Sequence, residues 1–207
     1  MKSFERWTID DIERVLHLEE QKHHPTLRAW LESAQRLTRE EMAAIEPYRT
    51  LLEENVYFWN EEELKIRFIG PILERVRFDN HRYKSFFERP LKATINGVTI
   101  NGVVDFMVAS GKGVPQKPYF FLQEYKPQRG RTNDPLAQVL SAMAVAQHIN
   151  SWSHPAFGGY VIGQQWFFVI LDENKYAVST AFDAASDDIF HIVAIVKRVK
   201  NYLDEWL

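Results

Sequence analysis

The apolar run Tyr119-Phe120-Phe121-Leu122-Gln123, closing on Glu124-Tyr125-Lys126, constrains the fold more than any other segment. A near-continuous stretch of strand-forming residues reads as a central strand covered on both faces, and such a strand requires a sheet with helices packed on each side. Its end carries the chemistry. In a strand, side chains at i and i+2 share a face, so Glu124 and Lys126 project together while Tyr125 turns away. Nineteen positions before Glu124, Asp105 sits in Val103 to Ala109, another segment that reads as strand. A divalent ion needs at least two hard oxygen ligands on rigid elements, and a phosphate under attack needs a cation beside it. Asp105 and Glu124 supply the first, Lys126 the second.

The 207 residues suit one domain, or one domain with a helical extension. The absence of cysteine excludes disulfides and Cys-type zinc sites and points to a reducing compartment, so a cytoplasmic location is expected. Met1 to Arg6 leads into a charged segment, and no run reaches the roughly 20 apolar residues of a membrane span. Neither secretion nor membrane insertion is expected. The formal charge of -3 conceals an asymmetry: residues 1–64 hold 15 acids and 8 bases, and the rest hold 13 acids and 17 bases. Between Lys65 and Lys92 the bases outnumber Glu74, Asp79 and Glu88, which suits either a polyanion-binding face or an ordinary solvated surface.

Residues 1–59 read as an acidic helical extension, with apolar residues at helical spacing (Ile12, Val15, Leu16; Leu27, Trp30, Leu31) and a capping box at Thr38-Arg39-Glu40-Glu41. Residues 60–207 read as the main domain. Asn60 caps a helix from Glu61 to about Val76, and Pro71 inside it predicts a kink or break. The period then changes to alternation. Leu91 to Ile95 and Val98 to Ile100 flank the hairpin turn Asn96-Gly97, while Asn101-Gly102 marks a second turn or a bulge. Asp134 and Pro135 open an alanine-rich helix to about Ile149, thin enough to lie close on a sheet. Two strands, Gly159 to Leu171 and Tyr176 to Phe182, and a helix from about Ala184 to Trp206 complete the chain.

Helices placed among strands in this order imply an α/β fold with a mixed sheet covered on both sides. With Val104-Asp105 and Glu124-Tyr125-Lys126 in place, the chain resembles the PD-(D/E)XK nuclease superfamily over roughly Asn60 to Phe182. The resemblance implies a restriction-endonuclease-like fold, with Asp105 and Glu124 binding Mg²⁺ (Mn²⁺ as a substitute) and Lys126 contacting the attacking water or the scissile phosphate. The proline that precedes the family's first acid is absent here. The resemblance also implies a glutamate from the first core helix, placed at Glu63 with Glu62 as its alternative, and a glutamine from a later helix, placed at Gln138. Glu63 to Leu73 is similar to the opening helix of the N-terminal nuclease domain of type I restriction subunits.

Other chemistries find no motif: there is no Gly-x-Ser-x-Gly, no phosphate-binding Gly-rich loop and no His-x-x-x-His pair. The expectation is therefore a Mg²⁺-dependent nuclease acting on DNA rather than RNA. Arg129 and Arg131 would contact backbone phosphates, and a homodimer or a partner protein would engage the first helices. Two readings stand beside it: a binding or assembly module that keeps the fold without cleaving, and a buried ion-pair cluster in an unrelated α/β protein.

Overall fold

Short capped elements fill the first third of the chain. The computed structural model describes residues 2–130, 134–151 and 154–206. Lys2–Ser3 forms strand β1 and Phe4–Arg6 a 3-10 turn. Thr8 caps α1 (Ile9–Leu16) by accepting the Asp11 N–H. After β2 (Glu19–Glu20), Pro25 opens α2 (Pro25–Glu32), and the expected capping box of Thr38 and Glu41 opens α3 (Arg39–Asn55). Asn60 caps α4 (Glu61–Leu64), which widens into the π-helical stretch Lys65–Ile69 before continuing as α5 (Gly70–Val76). Pro71 is the physical cause. It has no N–H to offer the carbonyl one turn back, and the Gly70 N–H instead reaches five residues to the Lys65 carbonyl.

The predicted hairpin is longer than its core motif. β3 (Lys84–Ile95) turns at Asn96-Gly97, both at positive φ, into β4 (Val98–Ser110). Asn101-Gly102 makes no turn and β4 runs through it. β5 (Gln116–Lys126) pairs antiparallel with β4. α6 (Pro135–Asn150) then crosses over to β6 (Ala156–Ile162), which lies parallel to β5. β7 (Gln165–Asp172), β8 (Lys175–Val178) and β9 (Phe182–Asp183) follow, and α7 (Asp188–Trp206) ends the described chain.

Among the described residues the strands form one nine-stranded mixed sheet, in the order β1-β4-β5-β6-β7-β8-β2, with β3 on β4 and β9 on β7. Helices cover both faces, as expected. The single strand expected from Gly159 to Leu171 is corrected to two, β6 and β7, joined at Gly163-Gln164. Gly163 takes φ 57°, its N–H donates to the Lys126 carbonyl, and the Gln128 side chain accepts from the Gln164 N–H. The turn is thereby docked under the end of β5.

Two apolar clusters lie on opposite faces of the sheet. One gathers Trp30, Phe121, Phe157 and Phe168 with α3, α5 and α7; the other gathers Phe4, Trp7 and Ile12 with the inner side of α6. Residues of the first 59 enter both, and β1 and β2 join the sheet itself. Alternate strand residues and the stripes of amphipathic helices leave no other place for these rings.

The thin α6 lies on β6 as its composition predicts. A Cβ at Gly158 would meet the Met143 Sδ at 2.7 Å and the Leu122 carbonyl at 2.9 Å. Gly158→Ala is therefore expected to cost about 1–3 kcal/mol by overpacking, measured as a lower denaturation midpoint at unchanged slope. Among the described residues no helix is long and apolar enough to cross a membrane.

Candidate functional site

The cleft opens where β4 loses a neighbour. Along one edge β4 is paired with β3; along the other it pairs with β1 at Ile100 and Asn101 and with β5 from Phe106 onward. Between those partners, Gly102 to Asp105 face a gap. β5 continues past the split, paired with β6 through Glu124, Tyr125 and Lys126. The resulting cleft holds about 500 Å³ and is lined by Asp105, Glu124, Lys126 and Gln138, together with Glu61, Glu62, Lys65 and Glu88. The Phe4 ring fills one wall so closely that a Cβ on Gly102 would lie 2.2 Å from it.

Asp105 and Glu124 are 7% and 8% exposed. Asp105 Oδ2 accepts the Tyr125 N–H at 2.8 Å, which ties the first acid to the strand bearing the second. Lys126 Nζ donates to Glu124 Oε1 at 2.7 Å and to the Tyr125 carbonyl at 2.8 Å. The i, i+2 geometry read from the sequence is realised, with Tyr125 buried on the opposite face. Gln138 arrives from the first turn of α6, whose N-terminus Asp134 caps by accepting the Ala137 N–H at 3.0 Å. It is 1% exposed, and neither of its amide atoms has a hydrogen-bond partner among the described residues.

Glu63 is corrected. It completes a capping box with Asn60, accepting the Asn60 N–H at 3.0 Å, and does not line the cleft. Residues two apart on a helix point about 200° from one another, so the cap and the cleft cannot be served by the same glutamate. Glu61 lines the cleft instead, with Glu61 Oε2 at 3.5 Å from Lys126 Nζ. Arg129 is exposed, with its guanidinium over the Tyr57 ring at 5.2 Å, and does not line the cleft. Arg131 lies outside the described residues.

Lys65 and Glu88 were not anticipated. Lys65 Nζ donates to Asp105 Oδ1 and Glu88 Oε1, each at 2.8 Å, and pairs with Glu61 Oε1 at 3.0 Å. Glu88 lies across from Asp105 on β3, at φ 50°. A non-glycine residue in that left-handed conformation carries strain of about 1 kcal/mol or more. The spacing of Glu61 and Lys65, one helical turn, was a signal for their pairing; nothing in the sequence marks the backbone at Glu88.

Electrostatically the cleft is acidic, with six carboxylates against three lysines along its lining. Burial opposes the Lys65 charge, but hydrogen bonds to Asp105 and Glu88 outweigh it and hold the ammonium more firmly than in free lysine. Lys126 is also raised, its burial overcome by Glu124. Burial raises Asp105 against the pull of Lys65. Glu124 is pushed up to about 8 by burial and by the charge of Asp105. The folded ion-free protein therefore holds a proton on Glu124 at neutral pH that the unfolded chain releases near its ordinary 4.5. The native state binds the extra proton, so stability falls as pH rises from about 4.5 to about 8. Denaturation midpoints measured in a chelator should show that decline, and Glu124→Gln should flatten it; parallel slopes would reject the assignment.

Among the described residues no three His, Cys, Asp or Glu groups converge as a ready-made metal cluster; the cleft's carboxylates are interleaved with Lys65 and Lys126. The donors nonetheless fit a hard ion. Mg²⁺ is commonly held by one or two carboxylates, retaining waters or substrate oxygens elsewhere, and Asp105 and Glu124 meet that need. A second cleft of about 520 Å³ lies among α3, α5 and α7, but it pairs Lys197 with Glu41 and contains no strand-borne acids. Chemistry, not size, distinguishes the two. No protein-family model matches this chain, and no curated protein matches it.

Proposed function

We propose that this protein is a divalent-metal-dependent nuclease with a restriction-endonuclease-like fold, acting on DNA. One observation supports the reading above the rest: Asp105, Glu124, Lys126 and Gln138, whose amide has no partner among the described residues, meet in one cleft where β4 and β5 part. Asp105 and Glu124 would hold Mg²⁺ or Mn²⁺. When bound, such an ion lowers the pKa of a coordinated water and neutralises charge on the phosphate. Lys126, fixed by Glu124 and the Tyr125 carbonyl, is placed to donate to the phosphate oxygen or the attacking water as negative charge builds. Gln138 offers both a donor and an acceptor to that water or to the ion. Phe4 closes one wall of the cleft.

The acidic lining bears on substrate binding. A polyanion approaching six carboxylates and three lysines is repelled until cations are added. The protein is therefore expected to bind DNA weakly in chelator and about tenfold or more tightly with Ca²⁺. It should nick supercoiled plasmid only with Mg²⁺ or Mn²⁺. Calorimetric ion titration alongside plasmid and single-stranded DNA incubations tests the reading. Ion uptake with cleavage supports it; ion-dependent binding without cleavage favours a binding module that keeps the site; no ion uptake returns Asp105 and Glu124 to a structural ion-pair cluster.

A further inference from the structure

Among the described residues the large apolar side chains that stand exposed are not scattered. Tyr57, Phe58, Ile66, Phe87 and Val103, five of seven, are themselves cleft-lining or lie within four positions of a residue that lines the cleft of Asp105 and Glu124. Exposed apolar residues spread singly over a surface need no explanation, whereas a group beside one cleft does. Phe58 is the extreme at 80% exposed, and its neighbour Tyr57 is 47% exposed. Their turn is not loose. Val56 and Trp59 on either side are buried, and the Phe58 N–H donates to the Asn55 carbonyl at 2.9 Å. Two aromatic rings are therefore held out to solvent by a backbone fastened at both ends.

Arg129 supplies a second, independent observation. Its guanidinium lies over the Tyr57 ring at 5.2 Å and makes no ion pair among the described residues. Both partners leave from the cleft: Arg129 stands three residues beyond Lys126, where β5 ends, and Tyr57 four residues before Glu61, whose Oε2 is 3.5 Å from Lys126 Nζ. A chain spans at most about 3.6 Å per residue, so the backbone of each lies within about 15 Å of the cleft lining. Exposed rings beside an unpaired cation match a group that carries a flat apolar face and a negative charge on one unit. A nucleotide with its base unpaired is such a group; in a duplex the base faces are covered by their neighbours in the stack. A second copy of the chain fits poorly. The two rings offer roughly 250 Å² between them, against about 800 Å² per partner in a stable interface, and Arg129 would enter it with no carboxylate beside it.

We propose that Tyr57, Phe58 and Arg129 form a stacking platform for an unpaired base of the substrate strand, so that the protein engages single-stranded or locally unpaired DNA in preference to intact duplex. The inference rests on the reading of the cleft as a nuclease site and names the form of its substrate. The rings take the base face, and Arg129 meets the phosphate beside it, outside the acidic lining that repels the backbone.

The test measures equilibrium binding by fluorescence anisotropy on the full chain with Ca²⁺, using three labelled probes of equal length: a single-stranded oligothymidylate, an abasic strand that keeps only the phosphates and sugars, and a blunt duplex. The wild type is expected to bind oligothymidylate more tightly than either other probe. Phe58→Ala should weaken oligothymidylate binding about 5- to 100-fold and leave the abasic strand and the duplex unchanged, while Phe58→Trp retains it. Phe58 touches solvent over most of its surface, so its replacement leaves the core intact. Equal loss on all three probes, no loss on oligothymidylate, or a wild type that binds none of them overturns the inference. So does a wild-type dimer that Phe58→Ala dissociates while single-strand binding stays intact, which gives the rings to a second copy. Base-dependent binding lost in Phe58→Ala, with no Mg²⁺-dependent cleavage by the wild type, keeps the platform and removes the nuclease reading; cleavage with binding indifferent to Phe58 does the reverse.

Discussion

Lys126→Ala should retain divalent-ion uptake while cleaving DNA about 10²–10³-fold more slowly, whereas Asp105→Ala should lose ion uptake and cleavage together. The difference follows from what each side chain touches. Asp105 accepts the Tyr125 N–H through one oxygen and Lys65 through the other, so its removal frees two donors and, on the proposed reading, deletes a ligand. Lys126 donates to Glu124 and to a carbonyl and ligates nothing. In the proposed reaction its contribution would be a preorganised positive charge aimed where charge develops in the transition state. Single-turnover rates at saturating Mg²⁺, paired with ion titrations of both variants, separate the two effects. Undiminished cleavage by Lys126→Ala would remove it from the reaction.

Trp30→Ala should cost about 3–5 kcal/mol, a large share of the 5–15 kcal/mol that typically holds a domain together. Trp30 is 0% exposed, lies edge-on to Phe157 at 4.8 Å, Phe168 at 5.2 Å and Phe121 at 6.3 Å, and donates its indole N–H to the Ile195 carbonyl at 2.9 Å. Truncation leaves a ring-sized void against three strands and strands a buried carbonyl lone pair. Equilibrium denaturation measures the loss. A change below about 1 kcal/mol would place α2 outside the core. Phe121 belongs to the strand that carries Glu124 and Lys126, so the same variant loosens the support beneath the cleft.

Much of the framework was legible because it depends on local rules. Alternation put Glu124 and Lys126 on one face; Asn96-Gly97 marked the hairpin; Pro71 marked the irregular turn; Asp134-Pro135 marked the start of α6. The failures share a different physics. Gly163-Gln164 was read through because apolar residues flank it on both sides, and only its docking on Lys126 and Gln128 makes it a turn. Glu63, with Glu62 as its alternative, was the expected acid and Glu61 was not considered, because a motif spacing says nothing about which of three adjacent glutamates the cap consumes. Lys65 and Glu88 come together over 23 residues through the approach of a helix to a strand, and no local period encodes that meeting.

Asp134 links two distant parts of the chain. Its Oδ1 caps α6, and its Oδ2 accepts the N–H of Ile9 at 3.0 Å, 125 residues earlier. β1 similarly waits for Ile100 and Asn101 of β4. During synthesis, at about 5–20 residues per second, the first nine residues emerge several seconds before the groups that fasten them. Contacts of such long sequence separation form late and slowly. The segment that carries Phe4 and the helix presenting Gln138 thus share a tie that a chain stopping before Asp134 cannot make, so a nascent chain that has already built its β3–β4 hairpin still lacks an assembled site.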